Sequence, residues 1–221
     1  MLKKLDSILL SKSVVENFYQ NYVDENFKAW LLGILPEIEN CKNTKQDNPW
    51  HIYNCLDHIL HAVEEMNKLS VSLDEKTRRM LAYTMLLHDI GKPQCKIRRF
   101  SKLYGREVDS FFDHNLAGVK IADRVLANFG FDEQEKQIIL TLIENHDIFM
   151  FITLQNDGNK FHHLLTQKLV DDYVGKFNEI GDGKKILTYL TMVGIADNKA
   201  QNPQMTAESL QTVQKMQEMI Y

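Results

Sequence analysis

The feature that most constrains this 221-residue sequence is an apolar segment, Met80–Leu87, that ends in an adjacent histidine and aspartate. The segment has almost no polar face, and a helix that is hydrophobic all round is buried all round. Gly-Lys-Pro follows at positions 91–93, a combination that ends a helix. The sequence therefore predicts that His88 and Asp89 lie at the end of a buried helix.

A buried imidazole and carboxylate need partners, because an unpaired charge inside a protein costs many kcal/mol. A divalent cation would satisfy His88 and Asp89 together, and the partial negative charge at a helix C-terminus favours a cation there. A single His-Asp pair is only weak support for a metal site. The interpretation therefore depends on finding further ligands elsewhere in the chain.

Length and composition are those of an ordinary globular protein with one domain, or one domain and an N-terminal extension. Hydrophobic residues make up 44% of the chain and charged residues 25%. The net charge of −4 does not predict a general nucleic-acid-binding surface, although a local basic cluster remains open.

The cysteines and the hydropathy of the chain indicate the cellular compartment in which we expect the protein. Cys41, Cys55 and Cys95 have no paired spacing, which argues against a disulfide framework or a cysteine-based zinc site and predicts reduced thiols. No apolar run approaches about 18 residues, and the N-terminus has no signal-peptide core. We therefore expect no contact with a membrane and a cytoplasmic location.

Apolar residues recur at helical spacing through nearly the whole chain and predict an all-α protein. No run of alternating polarity predicts a strand. One or two amphipathic helices are predicted over residues 7–35, and the polar, turn-rich residues 40–49 are predicted to be a linker. After Pro93 the chain is basic and is predicted to be a loop as far as Phe112.

Three patterns predict where helices begin. Residues 72–75, Ser-Leu-Asp-Glu, are typical of a capping box at the start of the buried helix. Residues 132–135 predict a second capping box, and Asp113 is predicted to cap a helix that has His114 in its first turn.

Two polar residues are predicted to face inward from other helices. His58 lies on the flank of a helix over residues 52–69, beside Cys55 and Ala62, where small and apolar neighbours indicate partial burial. Asp197 falls in the middle of an apolar stripe late in the chain. An aspartate at that place requires a cation or a strong hydrogen-bond donor.

Two further histidines lie next to predicted core. His114 begins one helix, and His146 continues the inward face of another, three residues after Ile143. An isolated inward histidine is more often a hydrogen-bonded core residue than a ligand, and an inward aspartate is often a cap or an ion-pair partner. All six residues together favour a metal site. Nitrogen and oxygen ligands without thiolate suit Zn, Fe, Mn, Co or Ni, and Mg less well.

These residues also carry a resemblance to a known family. The spacing His58 … His88-Asp89 … Asp197, with the sequence Leu-Leu-His-Asp-Ile-Gly-Lys-Pro, resembles the HD domain, a family of metal-dependent phosphohydrolases named after its His-Asp doublet. The resemblance implies a helical bundle over residues 46–221, with residues 1–45 as an N-terminal helical extension packing on it. It also implies that His58, His88, Asp89 and Asp197 are metal ligands, and that Lys92 faces phosphate.

A closer resemblance extends over residues 31–201. Five short segments are similar to the HD region of bacterial tRNA nucleotidyltransferases: Leu-Pro-Glu-Ile at 35–38, Trp-His-Ile-Tyr at 50–53, Asp-His-Ile-Leu at 57–60, Asp-His-Asn-Leu-Ala-Gly at 113–118 and Ile-Glu-Asn-His at 143–146. Residues 1–45 are too few to form the nucleotidyltransferase domain of those enzymes. We therefore expect no addition of nucleotides to tRNA ends.

The sequence also departs from several HD subfamilies. The doublet is followed neither by the acidic pair of guanosine-alarmone hydrolases nor by the pattern of dNTP triphosphohydrolases. His114 and His146 resemble the additional ligands of dinuclear HD enzymes, which include symmetrical diadenosine tetraphosphate hydrolases and cyclic dinucleotide phosphodiesterases. The Gly-Tyr-Pro motif of the last group is absent.

The resulting hypothesis is a phosphohydrolase that attacks a phosphate ester or anhydride with a metal-activated water. Asp89 would bridge a first ion to a second one, if a second is bound, held by His114 and His146. Lys92 would neutralise charge on the phosphate oxygens, with Arg98 and Arg99 as weaker candidates for phosphate binding.

Several questions stay open at the level of sequence. The alternative is a non-catalytic HD module that binds a nucleotide or an RNA end and regulates a partner, and a purely structural metal is a third reading. The substrate is expected to be a small phosphorylated molecule, a nucleotide above all, with an RNA end also open. The sequence determines neither the metal, the number of ions, the general acid nor the oligomeric state.

Overall fold

The fold consists mainly of helices, and a computed structural model describes all residues 1–221. The helices are α1 (Leu2–Leu9), α2 (Val14–Tyr22), α3 (Glu25–Ile34), α4 (Glu37–Asn43), α5 (Cys55–Leu69), α6 (Glu75–Leu87), α7 (Lys92–Cys95), α8 (His114–Val125), α9 (Glu133–Asn145), α10 (Gln167–Phe177), α11 (Gly183–Lys199) and α12 (Pro203–Glu218). Two 3₁₀ helices cover Leu126–Phe129 and His146–Phe151. The predicted all-α helical bundle is confirmed.

The centre of the bundle is formed by α5, α6, α9 and α11, which pack against one another. From Met80 to Leu87, every residue of α6 is buried, as the continuous apolar segment predicts. Helix α11 is similarly enclosed, with all residues from Tyr189 to Asn198 buried. The polar residues at the C-terminal ends of α6 and α11 therefore both lie in the interior of the bundle.

The first four helices pack on this bundle through the same hydrophobic core. Leu5, Phe18, Leu31 and Ile38 are fully buried and belong to one apolar cluster with the residues of α5 and α6. The first four helices and the central bundle therefore share a single core. The division at residue 45 into an extension and an HD domain stays a prediction.

The predicted helix starts had different outcomes. Asp132 caps α9 in a complete capping box with Glu135, as predicted. The prediction for residues 72–75 was wrong by two positions, because Asp74 caps α6 by accepting from the N–H of Thr77. Asp113 precedes α8 but makes no side-chain cap, since its backbone is left-handed with φ 59°.

The prediction of a loop over residues 93–112 was also wrong. After α7, strands β1 (Ile97–Ser101) and β2 (Arg106–Ser110) pair as an antiparallel hairpin, with Gly105 at positive φ in the turn. The sequence of the hairpin does not alternate in polarity. Charge pairs across the two strands stabilise it instead, and Arg98, for example, lies opposite Asp109 in the register. Strands β3 (Ile152–Thr153) and β4 (His163–Leu164) form a second, minimal pairing.

The length and hydropathy of the helices show whether any of them could cross a membrane. None of them combines the length and the apolar character that crossing a bilayer requires.

Candidate metal centre

The first cluster of polar side chains forms where α5, α6 and α11 meet. His58 comes from α5, His88 and Asp89 follow α6, and Asp197 lies near the end of α11. Nε2 of His58 is 3.0 Å from Oδ2 of Asp89 and 3.0 Å from Oδ1 of Asp197. Nε2 of His88 lies 3.4 Å and 3.5 Å from the same two oxygens. The four predicted ligands of the first metal are therefore brought together.

A second cluster forms on the other oxygen of the same aspartate. Oδ1 of Asp89 lies 3.0 Å from Nε2 of His114 and 3.6 Å from Nε2 of His146. The two Nε2 atoms are 3.1 Å apart, and all three residues are buried. His114 begins α8 and His146 follows α9, so the antiparallel packing of these helices places the two rings side by side.

Asp147 joins this second cluster, although the sequence did not single it out. Its Oδ2 is 3.3 Å from Nε2 of His114, and its Oδ1 is 3.4 Å from Nε2 of His146. The carboxylate is 28% exposed, so it lies at the open side of the cluster. Its position next to His146 is the only sequence signal, and adjacency alone does not distinguish it from a solvated aspartate.

All four histidines place Nδ1 against a backbone carbonyl. The distances are 3.3 Å from His58 to Ala200, 2.7 Å from His88 to Met85, 2.7 Å from His114 to Phe111 and 2.7 Å from His146 to Ile143. A carbonyl oxygen can only accept, so Nδ1 carries the proton in each ring. In neutral imidazoles of this tautomer, every Nε2 presents a lone pair.

These lone pairs and the carboxylates fit a metal ion. Nε2 of His58 and Nε2 of His88 lie 3.3 Å apart, a repulsive contact between neutral rings unless a proton or a metal ion lies between them. Oδ2 of Asp89 is buried and accepts no well-directed hydrogen bond. The ligand atoms of each cluster lie within 4.8 Å of one another, which is the spacing of a coordination shell. A hydrogen bond from Nδ1 to a backbone carbonyl is also the usual way of orienting a metal-binding histidine.

The pKa values of the buried acidic and imidazole groups also indicate that positive charge is needed at this site. Burial opposes ionisation of Asp89, but Lys92 and the histidines hold its pKa well below the usual range. The pKa of Asp197 is likewise held well below its usual range, against burial, by His58 and His88. Burial disfavours the charged form of His58, yet the adjacent carboxylates of Asp197 and Asp89 raise its pKa to about 9. Both carboxylates are therefore ionised and require positive charge beside them.

Lys92 lies against the same carboxylate but is nearly enclosed. Its Nζ is 2.5 Å from Oδ2 of Asp89 and only 5% of the residue is exposed. It donates to Oε1 of Gln46 at 3.0 Å and lies 3.0 Å from Nε2 of His51. Neither Gln46 nor His51 was predicted as a site residue, because Gln46 lies in the predicted linker 40–49 and His51 was noted only as part of the Trp-His-Ile-Tyr segment at 50–53.

The two arginines predicted as weaker candidates have different environments. Arg98 contacts Asp47 at 2.8 Å, Asp109 at 3.2 Å and Glu107 at 3.4 Å, so its guanidinium is surrounded by carboxylates. Arg99 has no carboxylate partner. Its Nε donates to Oγ of Ser110 at 2.7 Å, and its guanidinium lies 4.8 Å from the ring centre of the exposed Phe112.

Comparison with known proteins agrees with this geometry. Residues 51–200 match the family model described as the HD domain, a range that contains every candidate ligand named above. The bifunctional uridylyltransferase/uridylyl-removing enzyme of Nitrobacter hamburgensis is 26% identical over 179 residues, which are 81% of this chain and 15% of that protein. The enzymes of the same description from Rhodopseudomonas palustris and Cereibacter sphaeroides are 26% and 25% identical over 68% and 78% of this chain. The chain spans only 15 to 17% of the length of these relatives.

Proposed function

This chain belongs to the HD domain family, and we propose that it is a metal-dependent phosphohydrolase that acts on a nucleotide or another phosphate ester or anhydride. HD domains typically have such activity and bind divalent metals. The observation that carries the proposal is the convergence of four imidazole lone pairs on the two oxygens of one buried aspartate.

We assign a first ion to His58, His88, Asp89 and Asp197, and a second to Asp89, His114 and His146. This donor set suits Zn, Fe, Mn, Co or Ni better than Mg. A divalent ion in such a site supplies a nucleophile at neutral pH, because it lowers the pKa of water from 15.7 to about 7.

The side chains of this protein have separate tasks in the proposed reaction. Asp89 offers Oδ2 to one cluster and Oδ1 to the other, so one carboxylate determines how far apart the two sites lie. The backbone carbonyls that accept from Nδ1 hold each imidazole ring in place. The ammonium of Lys92 adds positive charge beside Asp89, where it opposes the negative charge that develops on the phosphate oxygens.

Substrate recognition is assigned to Arg99 rather than to Arg98. Arg99 keeps its terminal N–H groups free of carboxylates, and Phe112, which supports it, is two residues before the ligand His114. A guanidinium with free donors binds phosphate oxygens in a forked geometry. The exposed ring of Phe112 offers a surface for a nucleobase.

The nucleotide class has further support from the relatives, whose name describes removal of a uridylyl group. The similarity to the HD region of tRNA nucleotidyltransferases stays a prediction, and it makes an RNA end a second substrate to test.

The test of the proposal is metal analysis followed by hydrolysis of bis-p-nitrophenyl phosphate by protein loaded with Mn²⁺ or Zn²⁺. We expect bound metal and turnover in the wild type, and the loss of both in Asp89→Ala. Asp172→Ala, on the exposed face of α10, is the matched control and should change neither. Full activity in Asp89→Ala would overturn the assignment. Nucleotide binding by wild-type protein without bound metal or hydrolysis would favour a regulatory module instead.

A further inference from the structure

The residues before α5 form a built support for Lys92, and we propose that His51 and Gln46 are positioning residues for its ammonium. The inference rests on the proposed function and extends it to residues 46–51, which we call the 46–51 segment. The segment lies outside the two ligand clusters, and its polar composition is typical of a linker.

An ammonium group has three N–H donors in tetrahedral directions, and two of them are taken here by the 46–51 segment. One is donated to Oε1 of Gln46 and one to Nε2 of His51, each at 3.0 Å. Because the Cε–Nζ bond and two hydrogen bonds are fixed, the direction of the third N–H is fixed as well. That donor lies at the carboxylate of Asp89, whose Oδ2 is 2.5 Å from Nζ.

The protonation state of His51 follows from its two contacts. The ammonium of Lys92 can only donate, so Nε2 of His51 is the acceptor and its proton lies on Nδ1. Nδ1 donates to Oδ1 of Asn48 at 2.8 Å. His51 therefore connects the ammonium to the backbone of its own segment, since Oδ1 of Asn48 also accepts from the N–H of Trp50.

The 46–51 segment is itself held on two other sides. The backbone N–H of Asp47 donates to the buried carboxylate of Asp109 at 2.8 Å, and the carbonyl of Asp47 accepts from the N–H of Asp109 at 2.9 Å. Asn202, at the start of α12, donates to the carbonyls of Pro49 and Trp50, each at 2.8 Å. A segment tied in this way to β2 and α12 gives His51 a fixed position.

Two sets of residues therefore have separate roles around the carboxylate of Asp89. The histidine clusters would hold metal on Asp89, while Gln46 and His51 hold the Lys92 ammonium beside Oδ2. The third N–H is thereby held at Asp89, which keeps the ammonium charge on the side of the site where a phosphate oxygen would bind. Without His51, Lys92 would keep its charge but lose its orientation.

The first experiment measures orientation and does not depend on turnover. In Zn²⁺-loaded protein with ¹⁵N-labelled lysine, we expect one slowly exchanging ammonium resonance, which is assigned by its loss in Lys92→Met. In His51→Leu, solvent exchange of that ammonium should be about 10-fold faster or more, because it has lost an acceptor. In His51→Gln, whose Oε1 can accept at the position of Nε2, exchange should remain slow. Unchanged exchange in His51→Leu would overturn the inference.

The second experiment measures hydrolysis of bis-p-nitrophenyl phosphate by the same variants. We expect kcat to fall about 10- to 100-fold in His51→Leu with little change in KM or bound metal, and to recover in His51→Gln. His61 is a partly exposed histidine on α5 whose ring lies 4.3 Å from the ring of Tyr53, and His61→Leu is the matched control that should resemble the wild type. Equal loss in His51→Leu and His51→Gln, or a parallel loss of metal, would contradict positioning. Absence of turnover in the wild type would count against the proposed function alone, since the ammonium resonance would still test the inference.

Discussion

Nε2 of His58 lies 3.0 Å from Oδ2 of Asp89. Nδ1 of His58 donates its proton to the carbonyl of Ala200, so in the neutral imidazole both Nε2 and the facing Oδ2 present a lone pair. Two lone pairs at that distance repel each other unless positive charge lies between them. An added proton would relieve this repulsion at one histidine, whereas a single metal ion would relieve it at several ligands at once. The same relationship recurs at the other oxygen of Asp89, with His114.

The two clusters should lose metal separately. His146→Ala removes a ligand from the Oδ1 side only, so we expect metal content to fall by one ion while the ion at His58 stays bound. Asp89→Asn should lower occupancy of both sites, because each cluster uses one of its oxygens. Elemental analysis of dialysed protein measures both effects. A single ion in the wild type, unchanged in His146→Ala, would exclude the second site.

Arg99→Ala should weaken substrate binding, whereas Arg98→Ala should weaken the hairpin. Arg99 has free donors, and the loss of a charge-assisted hydrogen bond to phosphate corresponds to a rise in KM of about 10-fold or more. Arg98 bridges Asp47 and Asp109, so its removal should lower the melting temperature with little change in KM. Steady-state kinetics and thermal denaturation separate the two outcomes. The reverse pattern would show that substrate recognition was assigned to the wrong arginine.

Gly91→Ala should be destabilising for a steric reason. A Cβ at this position would lie 2.3 Å from the carbonyl oxygen of His114 and 2.6 Å from the backbone nitrogen of Gly118, so α8 would have to move. We expect a loss of about 1–3 kcal/mol in the free energy of unfolding, together with weaker metal binding at the second site. Gly33→Ala is the matched control, since nothing lies within 4 Å and the helix should gain up to about 1 kcal/mol. Urea denaturation distinguishes the two variants, and equal stabilities would contradict the close approach.

Asp109 should make stability depend on pH in the acid range. Burial opposes its ionisation, but the hydrogen bonds from Lys96, the Asp47 N–H and Arg98 lower its pKa. A carboxylate whose pKa is depressed on folding stabilises the protein fully above its unfolded pKa of about 3.9. That contribution is lost as the pH falls from there through the folded pKa.

Asp109→Asn should therefore lower the free energy of unfolding by about 2 kcal/mol at pH 7, and by progressively less below about pH 4. Urea denaturation at pH 7 and pH 3.5 measures the difference. Asp172→Asn, whose carboxylate is 63% exposed, should match the wild type at both pH values. A deficit in Asp109→Asn that does not change with pH would show that the ionised carboxylate is not responsible.

The sequence by itself determined the helical class and the main candidate ligands, because both depend on local patterns. An apolar segment without a polar face predicts a buried helix wherever that helix packs, and a histidine and aspartate at its end need partners in any fold. Asp197 was identified for the same reason, as a carboxylate within an apolar stripe. The hairpin was missed because its strands are stabilised by charge pairs across the register, such as Arg98 with Asp109, rather than by alternating polarity.

Only the tertiary structure decided which side chains act together. No local pattern marks Gln46, His51 or Asp147 as a site residue, and their proposed roles arise from contacts with Lys92, His114 and His146. It also distinguished Arg98 from Arg99, which are adjacent and chemically identical, by surrounding one with carboxylates and leaving the other on Phe112. The physical reason is that periodicity records which face of an element is buried, whereas a site depends on distances between elements that are far apart in the chain.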